Sequence, residues 1–150
     1  MTNVQGPGIF LAQFLGDSAP FNSLKSICGW AASLVYAGVQ IPTWDSRVID
    51  IQKAAESKNY ADEIKGIVNE AGLQITELAS HIIGQLVAVH PAYDVLFDGF
   101  APEAYRGNPA ARTEWAVQHL KYAAKASRNL GLNAHGTFSG SLLWHTVYPW

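Results

Sequence analysis

Glu77 and His81 stand four residues apart in an otherwise apolar run, Leu73 to His90, which opens with the β-formers Leu73, Ile75 and Thr76. Strand side chains alternate, so a strand through this run would put Glu77, Ala79 and His81 on one face. A carboxylate and an imidazole on a buried face are costly unless partnered. Two readings follow: a satisfied pair that only fixes a core, or a polar site at the carboxyl end of a strand, where α/β folds place their chemistry. Gln13, Gln40 and His135 likewise interrupt segments that an apolar strand could fill. Taken singly, each reads as a structural hydrogen-bonder; their recurrence on four strands points to inward polar groups converging on one cavity. Trp44 and Phe138 fall at or near the carboxyl ends of their strands. A ring beside hydrogen-bonding groups suits a sugar, whose C–H face stacks and whose hydroxyls bond. The same rings could equally cap a core.

Metal ligation is the other chemistry these residue types allow. The five histidines are His81, His90, His119, His135 and His145, with no HExxH or short His-x-His spacing. His119 lies beside the apolar stripe of a helix and reads as surface. His81, His90 and His135 could meet in space with Glu77 or Asp94 as oxygen donors, a set that suits a divalent metal such as Zn, Mn, Mg or Co. No nucleophile elbow, P-loop or dinucleotide fingerprint is present, so no nucleotide cofactor is expected.

The elements that would position these residues alternate. Ile9 to Leu15 reads as a buried strand. Asn22 or Ser23 caps a helix running to about Tyr36, with Leu24, Ile27, Cys28, Ala31, Leu34 and Val35 on its inner face. Val39 to Trp44 is a second strand that Pro42 brings to its end. Asp45 to Ser57 holds a turn or two of helix, and Asn59 caps another from about Tyr60 to Ala71, closed by Gly72. The third strand follows. From Gly84 to Asn108 runs a long irregular insert, rich enough in aromatics to be an ordered, packed loop. Asn108-Pro109 starts a long helix that Gly131 ends. Leu132 to Phe138 is a fourth strand, and Ser139 to Trp150 an aromatic tail. Strands alternating with helices predict an α/β fold with four parallel strands in one domain, residues 1–150.

Bulk properties narrow the classes. The chain has 150 residues, 49% of them hydrophobic, and a formal net charge of -2. It offers neither a basic stripe for nucleic acid nor a polybasic patch for a membrane. Cys28 is the lone cysteine, which fits a reducing compartment. Met1 to Gly8 lacks the charged start and apolar run of a signal peptide. A cytoplasmic location is the expectation.

Several segments together resemble one family. They are Gly38-Val39-Gln40-Ile41-Pro42-Thr43-Trp44-Asp45, Ile75-Thr76-Glu77-Leu78 with Ser80-His81, Gly84 through Asp94, and Thr137-Phe138-Ser139-Gly140. They are similar to the sugar phosphate isomerase/epimerase family of xylose-isomerase-like TIM barrels. The resemblance runs from about Gly8 to Trp150 and implies a (β/α)8 barrel that binds a divalent metal and interconverts sugars by proton transfer next to a carbonyl. Such barrels need roughly 250 residues, so the likeness is to an amino-terminal half. In that family the metal ligands and acid/base pair come mostly from later strands, so those roles do not carry over. Trp44, His81 and Phe138 match positions that would line the sugar pocket.

Four parallel strands with open borders predict completion by oligomerisation, most simply a homodimer. Domain swapping of Ser141 to Trp150 is another outlet. Three functional expectations result. One is a barrel half that binds a sugar-like molecule through Gln13, Gln40, Trp44, His81 and Phe138, with weak or absent isomerase activity. The next is a metal-dependent hydrolase or isomerase rebuilt across subunits, with Glu77 as ligand or base and His81 as ligand or general acid. The last is a non-enzymatic assembly module.

Overall fold

A computed structural model describes residues 5–144; readings that touch residues 1–4 and 145–150, His145 among them, lie outside the described residues. Along the chain come β1 (Gly8–Phe10), α1 (Leu24–Ser33), β2 (Gly38–Pro42), α2 (Ile51–Glu56), α3 (Lys58–Glu70), β3 (Gln74–Ala79), α4 (His81–Gly84), α5 (Asp94–Phe97), α6 (Pro109–Leu130) and β4 (His135–Gly136). The strands form one parallel sheet in the order β1-β2-β3-β4. Two compact units result. One runs to Ala79 and adds Tyr122–Gly136; the other comprises Ser80–Lys121 and the residues from Thr137 on. Among the described residues no helix is long and apolar enough to cross a membrane.

In the first unit, helix starts are set by side-chain caps. The Ser23 hydroxyl accepts from Ser26 N, Asp50 from Lys53 N and Ser57 from Tyr60 N. Ser57, not Asn59, begins α3, because its extended backbone both closes α2 and aims its hydroxyl into the next turn. One face of the sheet packs against helices: Ile9, Val39, Ile41 and Leu78 join Ile27 and Ala31 of α1, Ile64 and Val68 of α3, and Ala123, Ala126 and Leu130 of α6 in a continuous core.

The strands are shorter than the apolar runs suggest. β1 stops at Phe10 and the chain coils through a 3₁₀ turn, Leu11–Gln13, with Leu11 still fully buried. An apolar run of that length has no period to separate strand from turn. α1 ends at Ser33, where Val35 takes a left-handed φ of 65°. β4 is only two residues long, since Leu132 N is bonded back to Ser127 O at the end of α6 and Thr137 leaves the ladder early.

In the second unit, α4 begins at His81, so His81 is not a strand residue. β2, the neighbour of β3, ends at Pro42 opposite Ala79, and no ladder continues past that pair. The segment after Thr137 is laced to α4 and the turn behind it. Gly140 N donates to Gly84 O (2.9 Å), and Ser141 N and Oγ donate to Ala88 O (2.7 Å) and Gln85 O (2.9 Å). Gly84 is needed there, since a Cβ would collide with Thr137 Oγ1 and the Phe138 carbonyl.

The insert is a string of short helical turns tied to one cation. Arg112 is fully buried; its Nη1 donates to Asp94 O and Asp98 Oδ1 (both 2.8 Å) and its Nη2 to Asp94 Oδ1. Asp98 Oδ2 also accepts from Gly107 N (2.9 Å). Asn108 caps α6 through Ala111 N, with Pro109 in its first turn. Replacing Arg112 by Met strands two partly buried carboxylates. The expected cost is about 2–4 kcal/mol, below that of a fully buried pair because both aspartates keep some solvent. Hydrogen exchange checks this: protection in residues 91–108 should collapse, and unchanged protection would remove the clamp as the organiser of the insert.

Candidate active site across the parallel strands

The site rests on an irregularity between β2 and β3. Val39 pairs with Ile75, but Gln40 pairs with Glu77, leaving Thr76 as the extra residue of a bulge. The Thr76 hydroxyl donates to the Val39 carbonyl (3.1 Å). The extra residue also turns the side chains: Ile75 and Leu78, three apart, both pack on the helix-side core, and Glu77 emerges on the other face. Gln40, between the buried Val39 and Ile41, shares that face. Its Nε2 donates to Glu77 Oε1 at 2.6 Å.

Register extends the row. Phe10 pairs with Gln40, so Phe10, Gln40 and Glu77 line up across β1, β2 and β3. Trp44, just past β2, meets the Phe10 ring edge-on, with centroids 6.2 Å apart and planes at 78°. All four side chains are half-buried. The row therefore offers an indole, an amide and a carboxylate beside one another, with one carboxylate oxygen held by the amide.

The loops that leave β1 and β2 are tied by Arg47. Its Nε and Nη2 donate to Asp45 (2.9 and 2.6 Å) and its Nη1 to Asp17 (2.9 Å). The side-chain hydrogen bond from Arg47, reinforced by its charge, holds the Asp45 carboxyl below the usual carboxylate range against the opposing effect of partial burial. The same contact raises Arg47.

Of the other residues singled out in the sequence, Gln13 and His135 belong to the first unit. Gln13 is exposed at the end of the 3₁₀ turn after β1. His135 pairs with Leu78 and its Nδ1 meets Ser127 Oγ of α6 at 3.2 Å, which puts it on the helix side of the sheet, away from Glu77. In the second unit, His81 and Phe138 form an edge-on ring pair at 5.2 Å. His90 is exposed and caps the turn Pro91–Tyr93, its Nδ1 accepting from Ala92 N (3.2 Å). Among the described residues no group of three or more His, Cys, Asp or Glu side chains could hold a metal ion. The lone Cys28 is buried, and burial pushes its thiol up to about 11, so it is no nucleophile at neutral pH.

Sequence reasoning missed Phe10, Thr76 and the Asp45–Arg47–Asp17 bridge. Asp-x-Arg after a Pro-ended strand was a usable signal for the bridge; nothing in the residue types announces a bulge. Neither a family model nor a curated protein matches this chain.

The Asp45 contact carries a pH prediction. Its folded-state value lies below the unfolded value of about 4, so its stabilisation is complete above that value and is lost as pH falls through the folded one. Amide exchange at residues 45–47 should rise in that acid window, and Asp45→Asn should show the raised exchange already at neutral pH. Superimposable acid limbs for the two proteins would show that the contact contributes nothing.

Proposed function

We propose that this chain is a carbohydrate-binding module of the sugar phosphate isomerase/epimerase kind, half of a (β/α)8 barrel, with weak or absent isomerase activity of its own. The observation that carries the reading is the row Phe10–Gln40–Glu77 across three parallel strands, with Trp44 just past the carboxyl end of β2. Ligands of open α/β sheets and barrels bind at that end. In this reading the Trp44 indole stacks on the C–H face of a sugar. The Gln40 amide and the Glu77 carboxylate take its hydroxyls, and Gln40 keeps Glu77 from turning away. Glu77 is also the group placed to accept a proton next to a sugar carbonyl, with Gln40 fixing the oxygen that does not.

Saturation-transfer NMR with a panel of neutral aldoses and ketoses tests this. At least one sugar should receive saturation, and Trp44→Ala should abolish transfer to its C–H protons. Glu77→Gln should weaken binding by about tenfold, the effect of losing one charge-assisted hydrogen bond. No transfer to any sugar, or transfer indifferent to both variants, would refute the reading.

Self-association belongs to the same proposal. β1 and β4 are the outer strands of the sheet, and an outer strand presents backbone groups that a second copy can pair. Light scattering on the full chain should give the mass of a dimer; a monomer at micromolar concentration would remove this part.

A further inference from the structure

We infer that the second unit carries a surface, built from α5 and the segment 138–144, on which a second copy of this chain docks. The inference goes beyond the sugar-binding reading, does not rest on it, and needs no pairing of the outer strands. Eight large apolar side chains are exposed among the described residues. Five of them, Val95, Leu96, Phe138, Leu142 and Leu143, fall in these two short segments. Each keeps between 43% and 83% of its surface open. The segments meet: the Phe97 ring of α5 touches Trp144 edge-on, with centroids 5.4 Å apart. Phe138, Leu142 and Leu143 also line one cleft of about 350 Å³. Both segments are held in place. Gly140 and Ser141 are bonded to Gly84, Gln85 and Ala88, and α5 hangs on Arg112 through Asp94. A surface fixed before binding loses little conformational freedom on docking.

Area and charge select a second copy as the occupant. At these exposures the five residues offer on the order of 500 Å² of mostly apolar surface. A two-fold interface of standard size takes about 800 Å² from each partner, a little over half of it non-polar. The patch supplies that non-polar share. A two-fold contact also sets the charges of a patch against their own copies, so a self-docking surface must not carry outward charges of one sign. Thr137–Trp144 holds no charged residue. The acids at either end of α5, Asp94 and Asp98, are turned onto the buried Arg112 guanidinium. No basic residue stands in either segment to draw an acidic partner or an anionic membrane.

The test is sedimentation velocity on the full chain and on Val95→Glu and Leu142→Glu, with circular dichroism to confirm that both variants fold. The unsubstituted chain should sediment as a dimer at micromolar concentration. Each variant should raise the dimer dissociation constant about hundredfold or more, because a two-fold contact buries the new carboxylate twice. Leu34→Glu, at an exposed site in the first unit, should leave the dimer unchanged. Radical footprinting of the unsubstituted chain needs no variant: Val95 and Leu142 should be protected where the dimer forms and open on dilution. Dimers that survive both variants, or that leave these residues open to labelling, put the contact elsewhere, as on the outer strands, and overturn the inference. A monomer overturns it too, whether its own chain covers the patch or the patch binds phosphatidylcholine vesicles instead. Either result leaves the sugar-binding reading standing.

Discussion

Everything proposed for the site depends on how β2 and β3 pair. Without the extra residue at Thr76, the regular register that starts from Val39 and Ile75 would set Glu77 beside Ile41, which is fully buried in the helix-side core. A carboxylate there would lose its hydration without a partner, at a cost of several kcal/mol. The bulge moves Glu77 one position along, onto the opposite face and opposite Gln40. The threonine hydroxyl donates to the Val39 carbonyl at the bulge. A polar strand residue thus becomes compatible with a packed core, and the carboxylate is held in one orientation by an amide.

The α/β class and the order of helices and strands were legible because they follow from apolar period and stop signals. Asn108-Pro109 opens α6, Ser23 caps α1, and Pro42 ends β2, each for a reason visible in the residue type. Strand lengths were not legible. The run Ile9 to Leu15 is apolar but for Gln13, yet only Gly8–Phe10 pairs with β2. His81 was grouped with Glu77 by counting along a strand, and the count fails because the ladder ends where Pro42 ends β2. Gln40 and Glu77 were both recognised as polar interruptions, but their partnership needed the register, which the bulge changes.

The insert shows a different limit. Its aromatic content predicted an ordered loop, and order is what the structure has, but the organiser is Arg112. A lone arginine on the apolar stripe of a helix is a warning that a buried charge needs partners. Asp94 and Asp98, one helical turn apart, supply them. The Nε of Arg112 is buried with no partner among the described residues, so the arrangement trades one hydrogen bond for the fork that joins the two aspartates.

The two acidic networks differ in consequence. In the second unit the carboxylates are spent on holding the chain together. In the first unit Asp17 and Asp45 take up the local guanidinium, which leaves the Gln40–Glu77 pair without a cation of its own in the two connecting loops. The most direct measurement of the central claim is a crystal structure of the chain soaked with a neutral ketose. The account predicts a sugar stacked on Trp44 with a hydroxyl on Glu77; Glu77 found buried among the helix-side residues, or a row that stays empty at saturating sugar, would contradict it.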